Sequence, residues 1–239
     1  MTELLISEIT CMGPGFCVIG LEHTGQSCRS IRPLPPVGHA WQAFPFRRGD
    51  RLRFSLSHIP VGAPHVEDRV LARILEKTGS VGEGDLVAHL RRAEVAEDLS
   101  GLFHCTVHEN PRGSGIYVEP NAADRSVCGC ELQNVKFQVI PPKTVRAALL
   151  LPSGEPLRNL PLVDRDWNES IRRIFHETAG ANQLHRINRF LNGFIAEKLL
   201  NDSNRFARIG LSRPFKGTHW LMLDSLFPLP WPSLFDRRP

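Results

Sequence analysis

Apolar and polar positions alternate with a period of two along much of the chain, a pattern typical of strands with one buried face. Two short apolar runs, residues 4–9 and 16–21, flank a Gly/Pro turn. Residues 51–56 alternate strictly, with apolar side chains on one face and Arg51 and Arg53 on the other. Because no helix-length segment separates these strands, the pattern favours a small barrel over a βαβ unit. A five-stranded OB-like barrel is the natural candidate.

Helical spacing of apolar residues occurs in the middle of the chain and again near its end. It predicts a helix over residues 83–95, whereas residues 68–75 fit a strand and a helix equally well. Farther along, Asp166 and Glu169 have the spacing of a capping box that opens a helix. A second helix is predicted from about residue 182 to residue 200.

Strand patterns return between residues 126 and 160, and again between 206 and 232. The predicted fold class is therefore mainly β with helical additions (α+β), built on two OB-like small β-barrels. Three regions are predicted: a first OB-like β-barrel at 1–80, a helical and loop insertion at 81–125 that ends in a long loop, and a second OB-like β unit with two helices at 126–239.

The composition supports a folded protein in which arginine greatly outnumbers lysine. The chain has 239 residues, 41% of them hydrophobic, which excludes disorder for most of it. Of its 29 basic residues, 24 are arginine, although the net charge is only +4. A GC-rich genome favours arginine over lysine and explains most of this bias, but arginine is also the side chain that pairs best with phosphate.

The sequence favours a cytoplasmic location. Its apolar runs are far shorter than the roughly 20 residues that span a bilayer, and the N-terminus carries acids where a signal peptide carries Lys or Arg. We therefore expect no membrane association. The six cysteines are expected to be reduced in that compartment.

Arginines and aromatic residues interleave in two stretches of strand. This combination offers phosphate pairing and base stacking, which single-stranded nucleic acid requires. The alternative is that the aromatic rings belong to the core and the arginines form a solvated rim. The residues predicted to bind nucleic acid are Arg32, Trp41, Arg47, Arg48, Arg51, Arg53, Arg213, Lys216, His219 and Trp220.

The densest group of acid and base side chains is His65, Glu67 and Asp68. On an extended segment, His65 and Glu67 would share a face and form a general base with an orienting carboxylate, or a metal site with Asp68. The competing interpretation, which is favoured, is the acidic first turn of a helix. Nucleophile elbows, phosphate-binding loops, dinucleotide fingerprints and H-E-x-x-H are absent. We expect a non-catalytic protein without cofactors.

A zinc-like spacing is formed by Cys105 and His108 together with Cys128 and Cys130. Tetrahedral zinc requires four nitrogen or sulfur ligands that converge from two loops. However, Cys128 and Cys130 lie in an alternating apolar stretch, where both would point to one sheet face as small buried side chains. Structural cysteines are the favoured interpretation.

Several short motifs carry a resemblance. They are Arg32-Pro33-Leu34, Arg48-Gly49-Asp50, Pro64-His65-Val66-Glu67-Asp68, and Gly210-Leu211-Ser212-Arg213-Pro214-Phe215 with His219-Trp220. Along nearly its whole length the chain resembles the prokaryotic dual OB-fold-containing domain family. The resemblance implies two OB-like barrels and a role in binding or sensing nucleic acid or nucleotides, including in bacterial conflict or phage-defence systems. It implies no catalytic residues.

The function predicted from the sequence is a non-catalytic module that binds or senses single-stranded nucleic acid, with a possible protein partner in the same system. Two alternatives stay open. One is an enzyme of unrecognised family that uses His65, Glu67 and Asp68. The other is a protein–protein adaptor that acts through the Pro-rich segment at residues 227–232.

Overall fold

The computed structural model describes residues 1–58, 62–140, 144–178, 180 and 182–228. The chain is 45% strand and 21% helix, which confirms the prediction of a mainly β protein with helical additions. Within these described ranges, no helix is both long and apolar enough to cross a lipid bilayer.

The first five strands form a closed barrel in the order β1-β2-β3-β5-β4. β1 closes it by pairing with β4 through residues 2–5 and with β2 through the rest of its length. β3 and β5 are parallel, and the other pairs are antiparallel. Residues 68–75, which fitted either element, are therefore a strand. The strands are β1 (Thr2–Met12), β2 (Gly15–Thr24), β3 (Ser27–Leu34), β4 (Asp50–His58) and β5 (Asp68–Ser80).

The segment between the two β units contains two short helices and two short strands. The first helix ends at Leu90, earlier than predicted, and its buried residues pack on Leu5, Leu21 and Cys28 of the barrel. The predicted long loop contains a strand, and the segment contributes a hairpin to the second β unit. These elements are α1 (Glu83–Leu90), α2 (Leu99–Phe103), β6 (His108–Glu109) and β7 (Ile116–Val118).

The second β unit contains a three-stranded sheet and a five-stranded sheet, with orders β11-β10-β9 and β6-β7-β13-β12-β8. A parallel bridge between Leu162 and Leu223 connects β11 to β13. Only Leu132 and Gln133 separate β8 from β9. The strands are β8 (Val127–Glu131), β9 (Asn134–Ile140), β10 (Thr144–Leu150), β11 (Pro156–Pro161), β12 (Phe206–Leu211) and β13 (His219–Phe227).

The two units have the same succession of pairings. In the first, one half of β1 pairs with β4 and the other half with β2. In the second, β8 pairs with β12 and β9 pairs with β10, so β8 and β9 together take the place of β1. β3 and β5 pair in parallel in the first unit, and in the second a single parallel bridge joins Leu162, the residue after β11, to Leu223 of β13.

The helices of the second unit lie between β11 and β12 in the chain. Asp164 caps the first of them, because its side chain accepts the backbone N–H groups of Asp166 and Trp167. The prediction that Asp166 is the cap was wrong by two residues, since Asp166 already lies in the first turn. These elements are α3 (Arg165–Glu177), α4 (Gln183–Phe190), a π-helical turn (Leu191–Ile195) and α5 (Ala196–Asn201).

The two units pack against each other through the outer face of the first barrel. β1 and β2 are buried on both faces, because one set of side chains fills the barrel and the other meets the second unit. Cys17 and Ile19 of β2 contact Val127, and Leu5 and Leu21 lie in one apolar cluster with residues of β12 and β13. This face of the first barrel is therefore covered by protein.

Candidate nucleic-acid interface

Three aromatic rings lie in register across neighbouring strands of the second unit. His108 of β6 is paired with Tyr117 of β7, and Tyr117 is paired with Trp220 of β13. The centroids of the His108 and Tyr117 rings are 5.4 Å apart and the rings are stacked, while those of Tyr117 and Trp220 are 5.6 Å apart. All three side chains are half-buried. We call these three residues the aromatic row.

The alternation of the strands places the aromatic row on one face of the sheet. Ile116 and Val118, on either side of Tyr117, are buried on the opposite face. Gly115 lies under the Trp220 ring, where a Cβ atom would be 3.3 Å from the indole. The Nε1–H of Trp220 is buried and has no acceptor among the described residues. The row is thus seated on glycine and on apolar side chains.

Two basic side chains lie in the turns that connect the strands of the aromatic row. Lys216 lies in the turn before β13, with its Nζ 5.5 Å from the centroid of the Phe215 ring, and that ring is 59% exposed. Arg112 lies exposed in the turn between β6 and β7. Arg158 of β11 instead lies 3.9 Å from Glu109, which is paired with Ile116 and so belongs to the opposite face of the sheet. The turns next to the row therefore each carry one exposed cation.

The first-barrel residues predicted to bind nucleic acid do not form one exposed basic face. Arg32 and Arg48 are buried and engaged with protein, so they are not on an exposed outer face. The indole of Trp41 packs on the barrel core and donates to the carbonyl of Pro33. Arg51 and Arg53 pair with glutamates at the surface. Of this set, only Arg47 is fully exposed.

The predicted residues of the second unit divide into two groups. Lys216 and Trp220 belong to the surface around the aromatic row. Arg213 instead donates to Asp68 Oδ2 at 2.5 Å, and the buried His219 lies within reach of the Ser212 carbonyl. The sequence analysis missed Tyr117, although the apolar-aromatic-apolar alternation of residues 116–118 is the signal that would have found it.

Arg48 connects the start of α3 and strand β13 to the first barrel. Its Nη1 donates to Asp164 Oδ2 at 2.8 Å and to Ser225 Oγ at 3.1 Å, and its Nε donates to Asp166. Its guanidinium also lies 5.2 Å from the centroid of the Phe227 ring. Because this side chain is almost fully buried and its Nε and Nη1 both donate to the second unit, its role is to hold the two units together.

The alternative catalytic residues His65, Glu67 and Asp68 lie together at the junction of the two units, but they do not begin a helix. Asp68 opens strand β5, so the favoured interpretation of a helix start was wrong. Glu67 accepts the N–H and the hydroxyl of Ser126, which tie it to the second unit. All three side chains are buried.

Asp68 is held between two arginines. Arg32 Nη1 donates to its Oδ1 at 2.8 Å, and Arg213 donates to its Oδ2. Each of these arginines precedes a proline, Pro33 in the first unit and Pro214 in the second. One arginine from each unit therefore pairs with the same carboxylate. Arg32 also donates to Ser126 Oγ at 3.0 Å. This arrangement occupies both carboxylate oxygens of Asp68 with arginine donors.

His65 is kept neutral in this network. Burial, together with the charges of Arg32 and Arg213, lowers its pKa to about 3. The cavity beside it, lined by Arg32, Arg213 and Asp224 among others, has a volume of about 20 Å³. Such a space holds one water molecule and is too small for a substrate. The geometry indicates a structural junction.

The proposed zinc ligands do not converge. Cys128 and Cys130 are completely buried on one face of β8, as the structural interpretation expects, and burial raises the pKa of Cys128 to about 11. Cys105 is half-buried near α2, and His108 belongs to the aromatic row. Throughout the part of the chain that the structure describes, no cluster of three or more metal-binding side chains contains any of these four residues.

Comparison of the chain with protein-family models, curated proteins and solved structures finds no match. The Pro-rich segment that suggested an adaptor lies outside the described residues beyond Pro228.

Proposed function

We propose that this protein binds single-stranded nucleic acid through the aromatic row of its second unit. The observation that carries the proposal is the in-register placement of His108, Tyr117 and Trp220 on three neighbouring strands. Bases of any sequence stack on aromatic faces, and each stack contributes about 1–3 kcal/mol. The row therefore supplies a platform that requires no particular base sequence.

The surrounding cations suit the phosphate backbone. Lys216 lies in the turn before β13, and Arg112 lies in the turn between β6 and β7. Phosphate pairing by such groups makes affinity dependent on salt, because counterions are released on binding. The net charge of +4 is modest, so stacking is the larger contribution and the cations orient the strand.

We infer further that both units are OB-like. An OB-fold is a five-stranded barrel that often binds oligonucleotides on its second and third strands. The shared succession of pairings supports this assignment in both units, as does the resemblance to the dual OB-fold-containing family. In the first barrel, the second unit covers the outer side chains of β2. The exposed sheet of the second unit then takes the binding role.

The test is a fluorescence-anisotropy titration of the purified chain with labelled single-stranded DNA and RNA of mixed sequence at low salt. Tyr117→Ala and Lys216→Glu should each weaken binding. Phe194→Ala and Lys198→Glu are matched controls, because Lys198 Nζ lies 5.3 Å from the centroid of the Phe194 ring on a helical surface away from the row. The controls should bind as the unchanged protein does.

Two results would contradict the proposal. Absence of binding to either nucleic acid at low salt would remove the function. Equal losses in Tyr117→Ala and Phe194→Ala would remove the site while leaving a general electrostatic attraction. A role in a bacterial conflict or defence system, with a protein partner, stays a prediction.

A further inference from the structure

We propose that His23, Cys28 and His89 form a zinc-binding site at the edge of the first barrel, remote from the aromatic row. One imidazole nitrogen from each histidine and the Cys28 sulfur all lie within 4.8 Å of one another. Among the described residues this is the one cluster of three or more such side chains. Two imidazoles and a thiolate are ligands that Zn²⁺ prefers.

The separation of the atoms agrees with tetrahedral coordination. Zinc binds sulfur at about 2.3 Å and nitrogen at about 2.0 Å, so two such ligands at the tetrahedral angle are about 3.6 Å apart. The Cys28 Sγ and His23 Nδ1 are 3.7 Å apart. The rings of His23 and His89 meet edge to face, with centroids 4.7 Å apart. The distances from the His89 nitrogen to the other two ligand atoms are at most 4.8 Å.

A tight hairpin positions two of the ligands. His23 and Cys28 are directly paired across β2 and β3, and their side chains therefore emerge on the same face. The turn between them is closed by a 2.9 Å hydrogen bond between the hydroxyls of Thr24 and Ser27, and Gly25 supplies the positive φ that the turn requires. The pair is thus held before any metal binds.

The helix α1 supplies the third ligand. His89 lies in its last turn, and the neighbouring Leu86 and Leu90 are buried in the same apolar cluster as Cys28. This packing therefore fixes the distance between α1 and the β2–β3 hairpin. The Nδ1 atom of His89 is buried without a hydrogen-bond partner among the described residues. A metal ion would satisfy this nitrogen, whose desolvation is otherwise uncompensated.

Two cationic side chains, Arg51 and Arg92, lie near both histidines. Arg51 is itself paired with Glu3, and Arg92 donates to the Gln26 carbonyl. These interactions reduce the repulsion that a cation would meet.

The site has an open fourth position. His23 is exposed at the hairpin, so water reaches the cluster from that side. Asp85 lies one helical turn before His89 on the exposed face of α1, where its charge acts on the His89 ring. Bound zinc would fasten the connecting helix to the barrel, and it would stabilise the folded chain because the unfolded chain does not hold the three ligands together.

The test uses Co²⁺ and Zn²⁺ as the only added ligands of the full chain under reducing conditions. Co²⁺ should produce a thiolate-to-cobalt absorption band in the near ultraviolet at one equivalent, and Zn²⁺ should displace it. Cys28→Ser should abolish the band, and His89→Gln should weaken Zn²⁺ affinity by about tenfold or more. Zn²⁺ should raise the melting temperature of the unchanged protein but not of Cys28→Ser.

The matched controls are Cys105→Ser, a half-buried cysteine outside the cluster, and His39→Gln, an exposed histidine. Both should retain the band and the affinity. If Cys28→Ser does not fold, His23→Gln at the exposed hairpin provides the same comparison. A missing band, a band that survives Cys28→Ser, or equal losses in the controls would overturn the proposal.

Discussion

The two β units have the same succession of strands but expose opposite kinds of surface. The first barrel is closed, and the outer side chains of β1 and β2 are buried against its neighbour. The second unit extends its five-stranded sheet with β7 and β6, and these strands carry a half-exposed row of aromatic rings. The first barrel and strands β8 and β12 are buried against each other, whereas the edge of the second sheet formed by β6, β7 and the start of β13 stays partly exposed. The comparison shows that strand order does not determine which face is available for binding.

Arginines differ between the two settings as well. Arg32, Arg48 and Arg208 cross the junction between the units and are buried with acidic partners. Arg53 and Arg158 remain at the surface in exposed pairs. Desolvation makes the buried pairs sensitive to the loss of one partner, whereas exposed pairs are screened by water. This contrast sets the order of the following predictions.

The largest effect is expected at Arg208, which is completely buried between the units. Its Nε donates to Glu8 Oε1 at 2.6 Å and its Nη2 donates to Ser30 Oγ at 2.7 Å. Arg208→Ala leaves the Glu8 charge buried and unpaired, and should lower the free energy of unfolding by about 3–5 kcal/mol. Urea denaturation measures the change. The double change Glu8→Gln and Arg208→Met removes both charges and should recover much of the loss. Equal destabilisation of both variants would contradict this explanation.

A smaller effect that depends on pH is expected at Asp224, whose Oδ1 has no partner among the described residues. Its pKa is raised to about 8, mainly by burial and also by the charges of Glu8 and Asp164, although Arg32 and Arg208 act in the opposite direction. The folded chain therefore keeps a proton that the unfolded chain releases near pH 4. The contribution of Asp224 to stability is full below pH 4 and is lost as the pH rises through 8.

Asp224→Asn removes this titration and keeps the shape of the side chain. Relative to the unchanged protein, the variant should gain about 1.4 kcal/mol per pH unit, or about 3 kcal/mol from pH 5.5 to 7.5. Denaturation curves at several pH values measure the difference between the two proteins. A difference that does not vary with pH would show that Asp224 is ionised in the folded state.

In the second unit the expected effect is on binding. Trp220→Ala removes one stacking surface of the aromatic row and should weaken affinity for single-stranded nucleic acid by about 1–3 kcal/mol. Trp41→Phe is the control from the first barrel, because Trp41 packs on the barrel core. Anisotropy titrations at one salt concentration compare the two. If both variants bind equally well, the difference in exposed surface between the units has no functional meaning.

The smallest effect is expected at the surface of the first barrel. Arg53 and Glu76 form a close ion pair, but their side chains are 43% and 53% exposed. Arg53→Ala should change the free energy of unfolding by less than about 1 kcal/mol. Thermal or urea denaturation at moderate salt measures it. A loss of unfolding free energy as large as that of Arg208→Ala would contradict the expectation that exposed arginine pairs contribute less to stability than buried ones.

Local patterns predicted the mainly β fold, the hairpin turns and the helices near residues 165–201 from the sequence. Alternation identified residues 51–56 as a strand, because its apolar face fills the barrel. It did not distinguish strand from helix at residues 68–75, where the pairing with β4 and β3 decided. Glu67 and Asp68 were interpreted as the first turn of a helix. A carboxylate that caps a helix and a carboxylate that pairs with two distant arginines cannot be distinguished from the sequence alone.

The candidate sites show the same limit. Lys216 and Trp220 were identified by their residue types, but Tyr117 and His108 join them only because β7 and β6 extend the sheet beside β13. His23 and Cys28 are close in sequence, yet His89 reaches them through the packing of α1 on the barrel. Contacts between distant segments carry no local signal in one sequence.

The sequence by itself determined the excess of arginine over lysine, the strand periodicity and the turns, because these depend on composition and on neighbouring residues. Only the tertiary structure decided what each arginine does. Arg32 and Arg213 meet at Asp68, across 145 residues in the case of Arg213, because the two units pack face to face. At that junction both guanidiniums pair with a carboxylate, whereas the aromatic row stays half-buried on the sheet edge formed by β6, β7 and β13.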